Sequence, residues 1–119
     1  MSSAVAARYG NMADVGCAGV LVSDIFCGPM DGLPREGQLL AIDAIEPGAG
    51  GCAANVAIGL AKQGISVDLA GCVGADSSAT SLLSSLESDG VGCSHVTATD
   101  RFPTSKTVIL VVAGQDRRY

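Results

Sequence analysis

The chain has 119 residues, 48% of them hydrophobic and 16% charged, with a formal net charge of −5. That length holds one domain and buries roughly 65% of the surface its unfolded chain exposes, enough for a core. The apolar fraction excludes a disordered chain. Twelve acidic against seven basic residues, with two Tyr, two Phe and no Trp, speak against nucleic acid and anionic membrane as partners.

No apolar run approaches the ~20 residues of a membrane helix; the longest clean one, Val108 to Ala113, is strand-sized. The N-terminus lacks the charged start and apolar centre of a secretory signal, and residues 1–13 read as a flexible tail. Cys17, Cys27, Cys52, Cys72 and Cys93 are odd in number and form no C-x-x-C pair, which argues against a disulfide scaffold or zinc site. They read as small hydrophobes in a reduced, cytoplasmic protein. The single histidine, His95, reads as a strand residue.

Along the chain, Asp14 to Ile25 is an apolar, Val-rich run consistent with one buried strand. Residues 27–37 (CGPMDGLPREG) carry two prolines and several glycines and predict a loop; Leu39 to Ile45 predicts a second strand, stopped by Pro47. In the segment GAGGCAANVAIGLAKQG (48–64), Ala53, Val56, Ala57, Leu60 and Ala61 share one helical face, and Gly64 supplies a stop. Ile65 to Val73 predicts a short strand. The next helix is capped by Asp76 or Ser77, presents Ala79, Leu82, Leu83 and Leu86, and ends at Gly90. Strands follow at about 94–99 and 105–113, with Asp100, Pro103 and Thr104 at the turn; Arg117 and Arg118 read as a solvated turn. The order β–β–α–β–α–β–β implies an α/β sheet. The chain stops just after an apolar strand and a turn, which suggests a fragment of a longer protein.

The informative segment is Gly48 to Asn55. Glycines ahead of a helix let backbone approach a ligand, and the helix N-terminus adds free N–H groups and a positive dipole end. Asn55, in the first turn, can both donate and accept, which suits a polyhydroxyl ligand or an anion. Gly48, Gly50 and Ala53 also fit a dinucleotide G-x-G-x-x-A, with Asp68 placed for a ribose. Against that, Glu46-Pro47 breaks the approach and Asp68 falls inside its apolar run rather than at the end. No Gly-Lys-Ser/Thr follows the glycines, so a Walker-type loop is absent.

The register of Gly50-Gly51, Ala53, Asn55, Ala57, Gly64 and Gly74, with Asp24 upstream and GCVGAD at 71–76, resembles the first signature of the ribokinase/PfkB carbohydrate kinases from Asp14 onward. The resemblance implies a partial ribokinase-like three-layer α/β fold, with β-strand lid elements at 39–45 and 94–113. Residues 14–119 would be the N-terminal, sugar-binding portion of a kinase domain. It further implies that Asp24, at the close of the first strand, and Asn55 bond sugar hydroxyls while the Gly50-Gly51 turn packs on the sugar.

Some family members carry Lys at the position of Cys52 and Asn at that of Val22, so ribose itself is in doubt and the sugar is open. The family's anion hole and catalytic Asp lie in its C-terminal half, so catalytic residues are expected beyond residue 119. The intact protein would use ATP and Mg²⁺, act on a sugar or related polyol, and pair as a homodimer through the lid. The alternatives are a non-catalytic ligand-binding relic and the dinucleotide-binding domain of an oxidoreductase.

Overall fold

The computed structural model describes residues 12–119. Its elements run β1 (Val15–Ala18), β2 (Val22–Met30), β3 (Ile45–Gly50), α1 (Cys52–Lys62), β4 (Val67–Gly74), α2 (Ser77–Ser88), β5 (Gly92–Thr99) and β6 (Lys106–Val112). They form two sheets. One is parallel, in the order β1-β4-β5; the other is mixed, in the order β3-β2-β6, with β2 antiparallel to β3 and parallel to β6. This is an α/β fold with a second small sheet, as the sequence implies.

Both helices pack on one face of the parallel sheet. Leu21, Ala53, Ala54, Ala57, Val67, Leu69, Val73, Ala79, Leu82, Leu86 and Val91 make the core there. The alanines of α1 carry only a methyl group, which lets the helix sit close on the strands, and Ala54 and Ala57 are fully buried. Val56, predicted on the buried face, is instead 55% exposed, and Ala54 takes its place. Each helix ends in a Schellman motif. Gly64 N–H donates to the Ala61 carbonyl (2.9 Å) and Ile65 N–H to Leu60 (3.1 Å); Gly90 and Val91 do the same to Glu87 and Leu86 (3.0 Å each). Gly64 and Gly90 supply the left-handed φ, +78° and +86°, that the motif needs.

The first predicted strand is two strands. The run 14–25 breaks at Gly19-Val20-Leu21, and its halves join different sheets. Leu21, off both strands, plugs the core beneath α1. A continuous apolar run cannot show where a chain leaves one sheet for another. Asp24 therefore does not close a strand; it sits within β2.

The predicted loop at 27–37 begins later, because β2 runs on to Met30; the Gly28-Pro29 step is absorbed as a register shift between Cys27 and Met30. Residues 39–44 form no strand. Ile45 opens β3, which passes through Pro47 because β3 is an edge strand whose unpaired side needs no N–H. The lid is thus β3-β2-β6, and β5, expected in it, belongs to the parallel sheet. The tail expected at residues 1–13 lies, up to residue 11, outside the described residues.

Candidate functional site

The glycines of 48–51 act mainly on the protein's own side chains. In β3, Gly48 and Gly50 alternate on the face that β2 crosses with Asp24 and Phe26. Gly48 pairs with Asp24 and Gly50 with Val22. A Cβ at Gly48 would stand 2.7 Å from the Phe26 ring, and one at Gly50 would collide with the Asp24 carboxylate. Two absent side chains thus let a phenyl ring and a carboxylate lie over the neighbouring strand. Gly51 is the N-cap of α1 at φ +97°, where a Cβ would strike the Val20 carbonyl. It offers no capping side chain, so the helix start stays bare.

Beside this seam lies an open cleft of about 300 Å³ lined by Val22, Asp24, Gly51, Cys52, Asn55, Thr107, Ile109, Arg117 and Tyr119. Alternation explains the strand contributions. Val22 and Asp24 lie on one face of β2, Thr107 and Ile109 on one face of β6, and Asp24 stands directly across from Thr107 in the parallel register. The first turn of α1 brings Asn55. Carboxylate, carboxamide, hydroxyl and guanidinium therefore surround one space against the apolar walls of Val22 and Ile109.

Three of the four residues singled out by sequence, Asp24, Gly51 and Asn55, meet in this cleft. Gly50 does not line it; it is buried beside the Asp24 carboxylate it makes room for. Val22 and Cys52, the two departures from the family pattern, line the same cleft. Thr107 and Tyr119 were not foreseen, and Arg117, read as a solvated turn, faces the cleft. Thr107 is paired with a residue far back in the chain, and no local pattern reports such a partner.

A second polar cluster fastens the lid to the layered half. Asp76 caps α2, as expected, accepting from the Ala79 amide (2.9 Å), the Thr104 amide (3.0 Å) and the Thr104 hydroxyl (2.7 Å), with Lys106 Nζ 3.5 Å away. Thr104 Oγ1 in turn accepts from the Gly74 amide at 3.0 Å. The Thr104 hydroxyl first, then the two amides and Lys106, hold the Asp76 carboxyl well below the ordinary carboxylate range.

All five cysteines are free, with Cys52 and Cys72 exposed. Burial, with Glu87 and Asp68 nearby, pushes the Cys93 thiol up. His95 lies exposed on β5, its Nε2 3.8 Å from Asp68. Among the described residues no three His, Cys, Asp or Glu side chains gather as a metal site, and none of the helices is long and apolar enough to cross a membrane.

The dinucleotide reading loses its geometry. Gly48 and Gly50 lie on an antiparallel lid strand, not in a turn between a parallel strand and its helix, and Asp68 stands near the start of β4. What remains is a helix-backed parallel sheet with a small lid sheet beside a polar cleft, the architecture of one part of a small-molecule kinase. Residues 17–119 match the pfkB family carbohydrate kinases, and the chain belongs to that family.

A 59-residue stretch is 51% identical to the bifunctional protein HldE of Marinomonas sp. (strain MWYL1), spanning 50% of this chain and 12% of that protein. The structure is similar to a putative ribokinase from Agrobacterium tumefaciens (TM-score 0.78, 25% identity, 87% of this chain, 33% of that one). It is also similar to a ribokinase from Cryptococcus neoformans var. grubii serotype A in complex with ADP (TM-score 0.70, 26% identity, 90% and 33%). The fold is ribokinase-like, and the chain spans about a third of the length of these ribokinases.

Proposed function

We propose that residues 14–119 are the sugar-binding, lid-bearing portion of a PfkB-type kinase whose intact form transfers the γ-phosphate of ATP to a sugar hydroxyl in the cytoplasm. The observation that carries this is the meeting of Asp24, Gly51 and Asn55 in one cleft with Thr107. The Asp24 carboxylate accepts hydrogen bonds from sugar hydroxyls; the Asn55 carboxamide donates and accepts; the Thr107 hydroxyl completes the set. The bare Gly51 lets the ring approach the start of α1. Holding an alcohol in one orientation is what a phosphoryl transfer asks of its acceptor site.

Val22 and Cys52 make one wall less polar than in relatives with Asn and Lys there, which favours a sugar other than ribose. The cleft holds a single carboxylate, so these residues do not form a site for Mg²⁺. In this reading the metal and the triphosphate belong to other segments of the intact protein, as does the catalytic base. The ADP held by the Cryptococcus ribokinase supports nucleotide use by the intact protein. The lid, whose β6 leaves Val108 48% exposed, pairs with that of a second subunit.

A thermal-shift screen of the chain with sugars, nucleosides and nicotinamide dinucleotides tests the reading. A sugar or polyol raises the melting midpoint, Asp24→Ala abolishes the rise, and the chain alone turns over no ATP. A rise with the dinucleotide alone would contradict it.

A further inference from the structure

Arg117 is left unused by the hydroxyl-binding set of Asp24, Asn55 and Thr107, yet its position is built. Arg118 bridges to Leu110, the Leu110 amide donating to the Arg118 carbonyl at 2.8 Å. Its guanidinium turns to Gln115 Oε1 at 2.9 Å. The residues on either side of Arg118 face the opposite way, and Arg117 and Tyr119 both line the cleft. The ion pairs among the described residues are Lys62–Asp89, His95–Asp68 and Lys106–Asp76. Arg117 stands outside all of them and beyond pairing distance of the Asp24 carboxylate.

The guanidinium is the single cation on the cleft wall. It only donates, through a planar fork that matches two oxygens of one anion. With Asp24 also on the wall and not paired with it, the cleft carries one group that repels an anion and one that receives it. A neutral sugar uses only the first.

We propose that Arg117 is a specificity-determining residue that reads an anionic substituent of the sugar, a phosphate or a carboxylate, while Asp24 and Asn55 hold hydroxyls. The cleft then favours a phosphosugar or sugar acid over its neutral counterpart. This rests on the sugar-site reading above and narrows its substrate class.

The test is calorimetric titration of the full chain at low ionic strength with matched pairs: ribose and ribose 5-phosphate, fructose and fructose 6-phosphate, glucose and glucuronate. In at least one pair the anionic member binds about tenfold more tightly, as one charge-assisted fork provides. The ratio falls as salt is added. Whether a phosphate pair or the glucuronate pair shows the larger ratio identifies the anion. Arg117→Gln brings the ratio close to one, and Arg117→Lys keeps part of it, since the charge remains and the fork is lost. Asp24→Asn weakens both members and retains the ratio.

Equal affinity within every pair, or equal weakening of both members by Arg117→Gln, overturns the assignment of Arg117 and leaves the sugar site standing. No binding by any member, or affinities indifferent to Asp24→Asn, overturns the sugar site and this inference with it.

Discussion

The two sheets are held together by different means. The parallel sheet β1-β4-β5 is backed by two helices, and the buried core cluster lies between them, with Leu69 and Leu86 fully enclosed. The lid sheet β3-β2-β6 adds only the half-buried Ala49 to that cluster; its own buried apolar residues are Met30, Ile109 and Val112. Its strands instead carry glycines that clear space, a proline on an edge and a register shift in the middle. Stability is concentrated in the layered half, and the cleft forms where the sparsely packed lid meets the start of α1. A site that must admit and enclose a ligand is best made from the part of a fold that opens at low cost.

The largest expected effect lies in the layered half. Leu86→Ala or Leu69→Ala costs about 2–5 kcal/mol through lost burial and the cavity left behind, whereas Val112→Ala in the lid costs about 1–2 kcal/mol; urea midpoints at constant slope compare them. If the lid variant cost as much, the two halves would share one core.

In the cleft, Asp24→Ala lowers sugar affinity about tenfold or more, the loss of a charged hydrogen-bonding group. Gly50→Ala, without touching the ligand, lowers it by a comparable factor, because the new methyl displaces the Asp24 carboxylate. Calorimetry reads both, and an undisturbed affinity in Gly50→Ala would show that the carboxylate is not held where the site needs it.

A smaller effect concerns the joint between the halves. Asp76 has a depressed folded-state pKa. Its contribution is therefore fully present above the unfolded value near ~3.9 and is lost as pH falls from there through the folded value. Asp76→Asn lowers the melting midpoint by several degrees at pH 7, and the gap from the parent chain narrows as the pH is taken below 4. A gap that widened in acid would reverse the sign of this linkage. The smallest effect is expected of the lid's exposed edge strand, where Val108→Lys leaves the melting midpoint of the chain nearly unchanged and, under the lid pairing proposed above, lowers the mass of the intact protein in light scattering from that of a dimer to that of a monomer.

The same contrast decided what the sequence could reveal. The helices and their ends were legible because amphipathic spacing, an Asp cap and stop glycines are local signals, and Ala79, Leu82, Leu86, Gly64 and Gly90 sit as expected. Val56 was misplaced because a helix of alanines has two nearly equivalent small faces. In the lid, β6 runs where the strand at 105–113 was expected, whereas β2 and β3 were misread. Pro47 and Gly28-Pro29 look like breaks until an edge position and a register shift accommodate them.

For the site, the glycine-rich segment ahead of α1 brought out Gly51 and Asn55, and the family resemblance added Asp24. Thr107 and Arg117 join them only through a parallel pairing between distant segments and an alternation set by Arg118, neither of which has a local signature. Gly50 lies outside the cleft, where its missing side chain leaves room for the Asp24 carboxylate.

The central claim is that Asp24, Gly51 and Asn55 act on one hydroxylated ligand. An amide-resolved NMR titration of the chain with a sugar that stabilises it tests this most directly. The account predicts shifts gathered at residues 22–24, 51–55 and 107–109, saturating together at one dissociation constant. Shifts confined to another surface, or separate saturation of these three segments, would contradict it.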